Sequence, residues 1–205
     1  MFNTLALIAV LVIIIMLKTI VSIIPSVMAS FVWWKENINI ESSVKLSRAR
    51  DLTALTMIIP FYLTIFRFRI YNPAFMNGMP DNTRLWTLMG VFGIYGLLRY
   101  SARVLARPHR IPMKTYKAAN KAAYTFFILL TLLLLAFGSI ASFAGMSPEM
   151  IKAVMLWLSS LIYGLYLLRK LQIFISSCSL FAAFLYLCAL EFLPTGILVV
   201  SGMIF

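Results

Sequence analysis

Long apolar runs separated by short polar stretches dominate the pattern of this sequence. A membrane-spanning helix needs about 20 mostly apolar residues. On that basis the chain is predicted to be all-α, a polytopic transmembrane helix bundle of about six spans that forms a single domain over residues 1–205. The predicted spans cover approximately residues 2–24, 52–66, 85–105, 124–144, 150–168 and 173–193.

Prolines mark several of the predicted helix ends. The first run is expected to stop near Pro25, and it is interpreted as a retained first transmembrane helix because no basic residue precedes it, as a signal peptide would require. Residues 33–51 are predicted to be a polar connector, and Pro60 is expected to kink the second span. Ser147 is predicted to cap the fifth helix, with Pro148 at its first position.

The last apolar stretch, residues 171–205, is too long for one straight span. Its 35 residues would measure about 52 Å as a helix, against a hydrocarbon core of about 30 Å. Pro194 and Gly196 offer a break, so residues 195–205 are predicted to form a short helix or a re-entrant segment. A single tilted span centred nearer Glu191 is the alternative.

Composition supports a membrane location. Hydrophobic residues make up 62% of the chain and the mean hydropathy is +0.96, whereas soluble domains are about 45–50% apolar. Of the 18 basic residues, four, seven and two lie in the connections after spans 1, 3 and 5 or in the span ends beside them. Four lie in or beside the other connections and Lys18 lies within span 1, so the richer side is expected to be cytoplasmic. We therefore expect a multi-pass bacterial inner-membrane protein with both termini non-cytoplasmic and no nucleic-acid partner.

An arginine ladder begins in the last part of the third predicted span and continues past it. Arg99, Arg103, Arg107 and Arg110 are three or four residues apart, and the first three share one helical stripe. They either extend to anionic lipid headgroups or form a docking surface for an acidic partner or a phosphate-bearing ligand. His109, inside the ladder, is expected to be a surface histidine.

Two ionisable residues are embedded in apolar sequence, where such groups usually have a partner or a role. Lys18 lies near the predicted end of the first span and could reach the headgroups. Glu191, three residues before Pro194, is the only acid in apolar surroundings. Arg67 or Arg69 is its predicted partner, because both lie on the same, non-cytoplasmic side in the predicted topology.

Small and sulfur-containing residues indicate packing. Gly90, Gly93 and Gly96 recur every three residues, a stripe that lets another helix approach closely. Cys178 and Cys188 lie in apolar sequence without metal-binding spacing, so we interpret both as packed free thiols.

No recognisable catalytic motif is present in the sequence. It contains no nucleophile elbow, zinc-binding motif or phosphate-binding glycine loop. The sequence therefore assigns no reaction, and we predict no catalytic residue, no metal and no cofactor.

The C-terminal third resembles a known family. Residues 167–194, LLRKLQIFISSCSLFAAFLYLCALEFLP, are similar to the closing segment of multi-spanning inner-membrane proteins of Bacteroidetes, a domain of unknown function whose members end in a phrase close to LYLCxLExLP. This chain differs by continuing into GILVVSGMIF without a basic terminal residue. The resemblance implies an inner-membrane location, assigns no reaction, and makes Glu191 and Pro194 motif positions.

Three functions remain open. The leading hypothesis is a non-catalytic membrane subunit or scaffold of a cell-envelope assembly, which docks other membrane subunits through small-residue helix faces and a basic cytoplasmic rim. The alternative is a small transporter or channel that uses Glu191. The scaffold predicts a buried and paired Glu191, whereas the transporter predicts one that water can reach. A third hypothesis is a lipid- or isoprenoid-acting enzyme that clamps phosphate with the arginine ladder.

Overall fold

The computed structural model describes residues 2–105 and 112–204, and helices account for most of that part of the chain. No strand occurs within these ranges. The α-helices are α1 (Phe2–Val32), α2 (Trp34–Ser42), α3 (Val44–Thr56), α4 (Ile58–Arg67), α5 (Asp81–Leu105), α6 (Met113–Phe143), α7 (Pro148–Ile175), α8 (Leu180–Leu187) and α9 (Leu193–Ile204). A short 3-10 helix covers Ala74–Met76, and a π-helical turn, Cys188–Phe192, joins α8 to α9.

Five helical stretches in the described ranges are long and apolar enough to cross a membrane. They are Asn3–Val32, Val44–Arg67, Met113–Phe143, Pro148–Ile175 and Leu180–Gly202. The 25-residue helix α5 is not among them. Its uncharged part between Arg84 and Arg99 would measure only about 21 Å, less than the hydrocarbon thickness. The chain is thus all-α with several long apolar helices, as expected of a membrane protein.

The N-terminal helices are longer than predicted. Helix α1 does not stop near Pro25 but runs through it to Val32. Pro25 cannot donate a backbone hydrogen bond to the preceding turn. Membrane helices tolerate this loss where nearby groups satisfy the carbonyl that is left without a donor. The connector at residues 33–51 is also helical, and Ser43 Oγ caps α3 by accepting from Leu46 N at 3.5 Å. The helix is interrupted at Met57, where Pro60, three residues later, removes a backbone donor.

Helices α6 and α7 form the centre of the bundle. Helix α6 begins at Met113, well before the predicted start near residue 124. The predicted cap of α7 is confirmed, because Ser147 Oγ accepts from Met150 N at 3.4 Å. However, α7 continues to Ile175 instead of ending near residue 168, so Lys170 lies inside the helix.

The C-terminal stretch is one helical rod. The predicted break after Leu193 is wrong, because helix continues from Leu180 through the π-turn to Ile204. The alternative of one long span centred near Glu191 describes it better. A π-turn accommodates one extra residue in a helix, and this one directly precedes Pro194, which has no N–H to donate.

The core lies along the α6–α7 interface. Its main cluster joins both helices to α1 and to the C-terminal rod, and it includes Ile23, Phe126, Ile162, Phe174 and Leu187. A second cluster at the other end of α6 and α7 packs against Phe68, which follows α4. A Cβ at Gly138 would lie 2.8 Å from Phe68 and Met155 side-chain atoms, so only glycine allows this approach.

Candidate functional site

The buried carboxylate of Glu191 organises the most polar site inside the bundle. Glu191 is fully buried, yet it has two cationic partners. Arg99 Nη2 lies 2.5 Å from its Oε2, and Lys170 Nζ donates to its Oε1. The Tyr166 hydroxyl also donates to Oε1, at 2.6 Å. A charge removed from water needs such partners, because its desolvation is otherwise very costly.

Three separate helical segments bring these groups together. Arg99 comes from α5, while Tyr166 and Lys170 lie one turn apart on α7, so both project from one face. Glu191 comes from the π-turn, which changes the helical phase before α9. As a result Glu191 points into the bundle, while the next residue, Phe192, is exposed.

Tyr166 links the two cations. Its hydroxyl accepts a hydrogen bond from Arg99 Nη2 at 2.7 Å while donating to Glu191. The Arg99 guanidinium lies 5.4 Å from the centre of its ring, and Lys170 Nζ lies 5.8 Å from it. The electron-rich ring face therefore attracts both cations after they lose water.

Hydroxyl groups extend the site toward α9. The Tyr163 hydroxyl donates to Thr195 Oγ1 at 2.9 Å and also lies 3.3 Å from the Glu191 carbonyl. The Tyr95 hydroxyl lies 3.2 Å from the same Thr195 Oγ1. These contacts connect α5, α7 and α9 and hold the π-turn in place.

A second charged cluster lies where α2, α3 and α6 meet. Arg50 is fully buried, and its Nη2 is 2.9 Å from both Glu41 Oε2 and Asp51 Oδ1. Lys121 Nζ from α6 lies 2.8 Å from Asp51 and 3.5 Å from Glu41. Two cations thus face two carboxylates, and the cluster balances its own charge. This cluster was not predicted from the sequence, although half of the six acids, Glu36 among them, fall in residues 33–51.

The predicted partner of Glu191 is wrong. Arg67 and Arg69 are exposed at the end of α4, and Glu191 pairs instead with Arg99 and Lys170. The prediction failed because Arg99 and Lys170 were both counted on the cytoplasmic side, away from the predicted position of Glu191. The sequence does contain a signal that Lys170 lies inside a helix. The mostly apolar residues that follow it, Leu171 to Ile175, continue the helix.

Lys18 does not lie near a helix end. With α1 continuing to Val32, Lys18 is fifteen residues after Asn3 and fifteen before Trp33. Its side chain is exposed, and it makes no ion pair with a carboxylate in residues 2–105 or 112–204. The prediction that Lys18 lies near the end of its helix is therefore wrong.

The arginine ladder does not present one outward face. Arg99 turns into the bundle and is only 18% exposed. Arg103 is partly buried, and its backbone carbonyl accepts a hydrogen bond from the Tyr116 hydroxyl at 2.7 Å. Arg107, His109 and Arg110 lie outside the described residues. Successive positions four apart drift around a helix, which is how the stripe reaches different surroundings.

The glycine stripe has no partner helix within the described chain. Gly90, Gly93 and Gly96 are exposed, and no described atom lies within 4 Å of a Cβ placed at any of them beyond their own helical turn. Intramolecular packing is therefore not their role in this part of the chain.

Pro194 and the two cysteines occupy packing positions. Pro194 is buried directly after the π-turn. Both cysteines are free, and Cys178 Sγ donates to the Phe174 carbonyl at 3.1 Å. Burial raises the pKa of the Cys178 thiol. Within the described ranges, no group of three or more His, Cys, Asp or Glu side chains could hold a metal ion.

Two adjoining cavities lie beside this site. The inner cavity, of about 330 Å³, is lined largely by aromatic side chains of α4, α5 and α6. The outer cavity, of about 560 Å³, is lined by Asp51, Arg103 and Tyr124 among others. Arg99 and Tyr95 line both, so they stand at the junction of the two.

No protein-family model matches this chain, and comparisons with curated proteins and with solved structures return no match.

Proposed function

We propose that this protein is a non-catalytic integral membrane subunit or scaffold of a cell-envelope assembly. The observation that carries the proposal is Lys18, an exposed cation midway along the apolar helix α1. Large apolar side chains around it, including Ile14, Ile15, Leu17 and Val21, are also exposed. This face of α1 therefore combines an apolar surface, suited to contact with lipid, and one positive charge without a carboxylate partner in the described chain.

An unpaired lysine at this depth calls for a partner. A charged residue at the centre of a membrane helix costs about 2.5–3.5 kcal/mol even on permissive scales, and such residues normally pair. Since the described chain supplies no carboxylate to Lys18, the partner is an Asp or Glu on a membrane helix of another protein. The exposed glycine stripe of α5 offers a second surface for close helix packing.

The burial of Glu191 favours a scaffold over the alternative of a small transporter or channel. A transport carboxylate has to exchange protons or ions with water. Glu191 is fully buried and held by Arg99, Lys170 and Tyr166, which suits a structural ion pair. We therefore assign Glu191 to the stability of the bundle.

The contacts between helices support six crossings, with α5 as the sixth span. The start of α3 and the start of α6 lie at the same end of the bundle, because Asp51 and Lys121 are 2.8 Å apart. The end of α4 lies at the other end, where Phe68 meets Gly138. Helix α5 connects these two ends, so it returns the chain across the bundle.

This topology supports the predicted orientation. The end that contains Lys121 also carries most of the basic residues, so we assign it to the cytoplasm and both termini to the opposite side of a bacterial inner membrane. Its basic rim suits anionic headgroups. The LYLCALEFLP phrase, which contains Glu191, supports membership of the Bacteroidetes inner-membrane family.

Co-purification with charge exchange tests the subunit proposal. The chain is extracted at native levels in a mild detergent, and proteins bound at constant ratio are identified by mass spectrometry. Lys18→Glu is expected to release the partner and Lys18→Arg to retain it, while Lys45→Gln, at an exposed helix end, changes nothing. Exchanging the partner's membrane carboxylate for lysine should restore binding to Lys18→Glu. A solitary protein, or a partner that Lys18→Glu retains, would overturn the proposal.

A further inference from the structure

We propose that the two adjoining cavities hold one phospholipid with an anionic headgroup. Its phosphate lies against Arg99 and Arg103 in the outer cavity, and one acyl chain enters the inner cavity. The site is independent of the proposed docking of a partner at Lys18, because it lies between α5 and the α4–α6–α7 bundle.

The charges beside the cavities favour an anion. Arg99 and Lys170 share a single carboxylate, Glu191. Arg103 adds a further cation without an ion pair among the described residues. Asp51 also lines the outer cavity, but Arg50 and Lys121 neutralise it together with Glu41. The surroundings therefore carry excess positive charge at a place shielded from water, where an unbalanced charge is costly.

One buried donor on each of the two arginines also lacks an acceptor. The Nε atoms of Arg99 and Arg103 are both buried, and neither donates a hydrogen bond within the described chain. Buried donors are almost always satisfied in folded proteins. A phosphate group has several oxygens that arginine binds in a planar, charge-assisted arrangement. A phosphate in the outer cavity would satisfy these donors.

The inner cavity suits a hydrocarbon chain. Its walls include Phe61, Phe92, Phe126, Phe127 and Leu130, and Arg99 lines it together with Tyr166. Phe61 packs edge-to-face against Phe92 and Phe127, with ring centres 6.0 and 5.0 Å away. An acyl chain can fill the inner cavity without forming hydrogen bonds, and its burial there removes apolar surface from contact with water.

The order of the two cavities matches the orientation of a lipid. Arg103 lies near the end of α5, at the same end of the bundle as Asp51 and Lys121. Arg99 lies one turn deeper, and the aromatic cavity continues inward from it. A phospholipid of the leaflet at that end has its phosphate outside and its chains inside, which is the same sequence of polar and apolar surroundings.

Lipid retention by the purified full chain tests this site. The protein is delipidated in detergent, incubated with phosphatidylglycerol or phosphatidylcholine, and examined by native mass spectrometry. One phosphatidylglycerol per chain is expected to stay bound, with phosphatidylcholine retained about tenfold less, the order of one charge-assisted hydrogen bond. Arg103→Gln is expected to reduce phosphatidylglycerol retention by a similar factor, whereas Arg67→Gln, exposed at the far end of α4, leaves it unchanged.

A second variant tests whether an acyl chain occupies the inner cavity, and it changes no charged residue. Ala123 lines both cavities, so Ala123→Leu fills their junction and should also abolish retention. Circular dichroism confirms that each variant is folded before it is compared. Equal retention of the two lipids, equal losses in Arg103→Gln and Arg67→Gln, or full retention by folded Ala123→Leu would overturn the proposal and indicate surface lipid only.

Discussion

Arg99 Nη2 and Glu191 Oε2 lie 2.5 Å apart, although the two residues are 92 positions apart in the sequence. The contact joins α5, the least apolar of the long helices, to the C-terminal rod. Lys170 completes the pairing from α7. This internal charge network gives the bundle a specific arrangement that apolar packing alone does not supply. In a bilayer, an apolar helix surface contacts lipid chains about as favourably as it contacts another apolar helix.

Removing the carboxylate charge is expected to destabilise the protein strongly. In Glu191→Gln, Lys170 and Arg99 remain in the core without a counter-charge, and breaking a buried pair typically costs about 3–5 kcal/mol. The melting temperature in detergent should fall clearly relative to the wild type. Glu149→Gln, exposed in the first turn of α7, is the control and should change it little. An unchanged melting temperature for Glu191→Gln would exclude a structural pair.

The π-turn is expected to set the direction of Glu191. Deleting Ala189, an exposed residue within the turn, should convert it to regular helix and bring Glu191 one residue closer to α8, which changes the direction of its side chain relative to α8. The loss of thermal stability should approach that of Glu191→Gln. Ala189→Leu keeps the length and faces outward, so it should be nearly neutral. If deletion and substitution behave alike, the turn has no positioning role.

Arg50 is expected to be essential to the joint between α2, α3 and α6. Arg50→Gln leaves Glu41 and Asp51 with only Lys121, and the melting temperature should fall by an amount comparable to other broken buried pairs, about 3–5 kcal/mol in free energy. Arg48→Gln, two residues away and exposed, is the matched control. Equal stability of the two variants would show that Arg50 contributes no more than a surface arginine.

Labelling from the two sides of the membrane tests the topology. In a chain with Cys178 and Cys188 replaced by alanine, single cysteines at Lys45 and Asn77, both exposed, lie at opposite ends of the bundle. A membrane-impermeant maleimide added to intact cells freed of their outer membrane should label position 77 and leave position 45 unlabelled until lysis. The reverse pattern would invert the orientation.

The native Cys178 thiol is expected to react slowly. Burial raises the pKa of this thiol, so less of the reactive thiolate is present near pH 8 than in an ordinary cysteine. Alkylation should therefore be slower than for an unstructured peptide thiol and should accelerate as the pH rises. Mass spectrometry of timed reactions with iodoacetamide, in a Cys188→Ala chain, measures the rate. A rate equal to that of the peptide would contradict the expected shift.

The sequence predicted the helical class and most of the long helices because apolar runs of span length have few other structures available in a membrane. It also identified Glu191 as a residue that needs a partner. It could not identify that partner, since Arg99 and Lys170 meet Glu191 only through the packing of α5, α7 and the C-terminal rod.

Helix ends were the less predictable part of the fold. Pro25 and Pro194 were both interpreted as ends, but one missing donor does not break a membrane helix when a neighbouring turn can absorb it. The burial of Arg50 could not be predicted from the sequence either, because residues 33–51 are polar enough to resemble a solvated loop. These residues pack as helices against α6, where Lys121 contacts Asp51.

A double-mutant cycle between Glu191 and Lys170 tests whether their buried ion pair stabilises the bundle. The free energies of unfolding of the wild type, Glu191→Gln, Lys170→Met and the double variant are measured under one detergent condition. A structural ion pair predicts that the double variant is more stable than the sum of the two single losses implies, with a coupling of at least about 1 kcal/mol. Additive losses, with no coupling, would contradict a paired and buried Glu191.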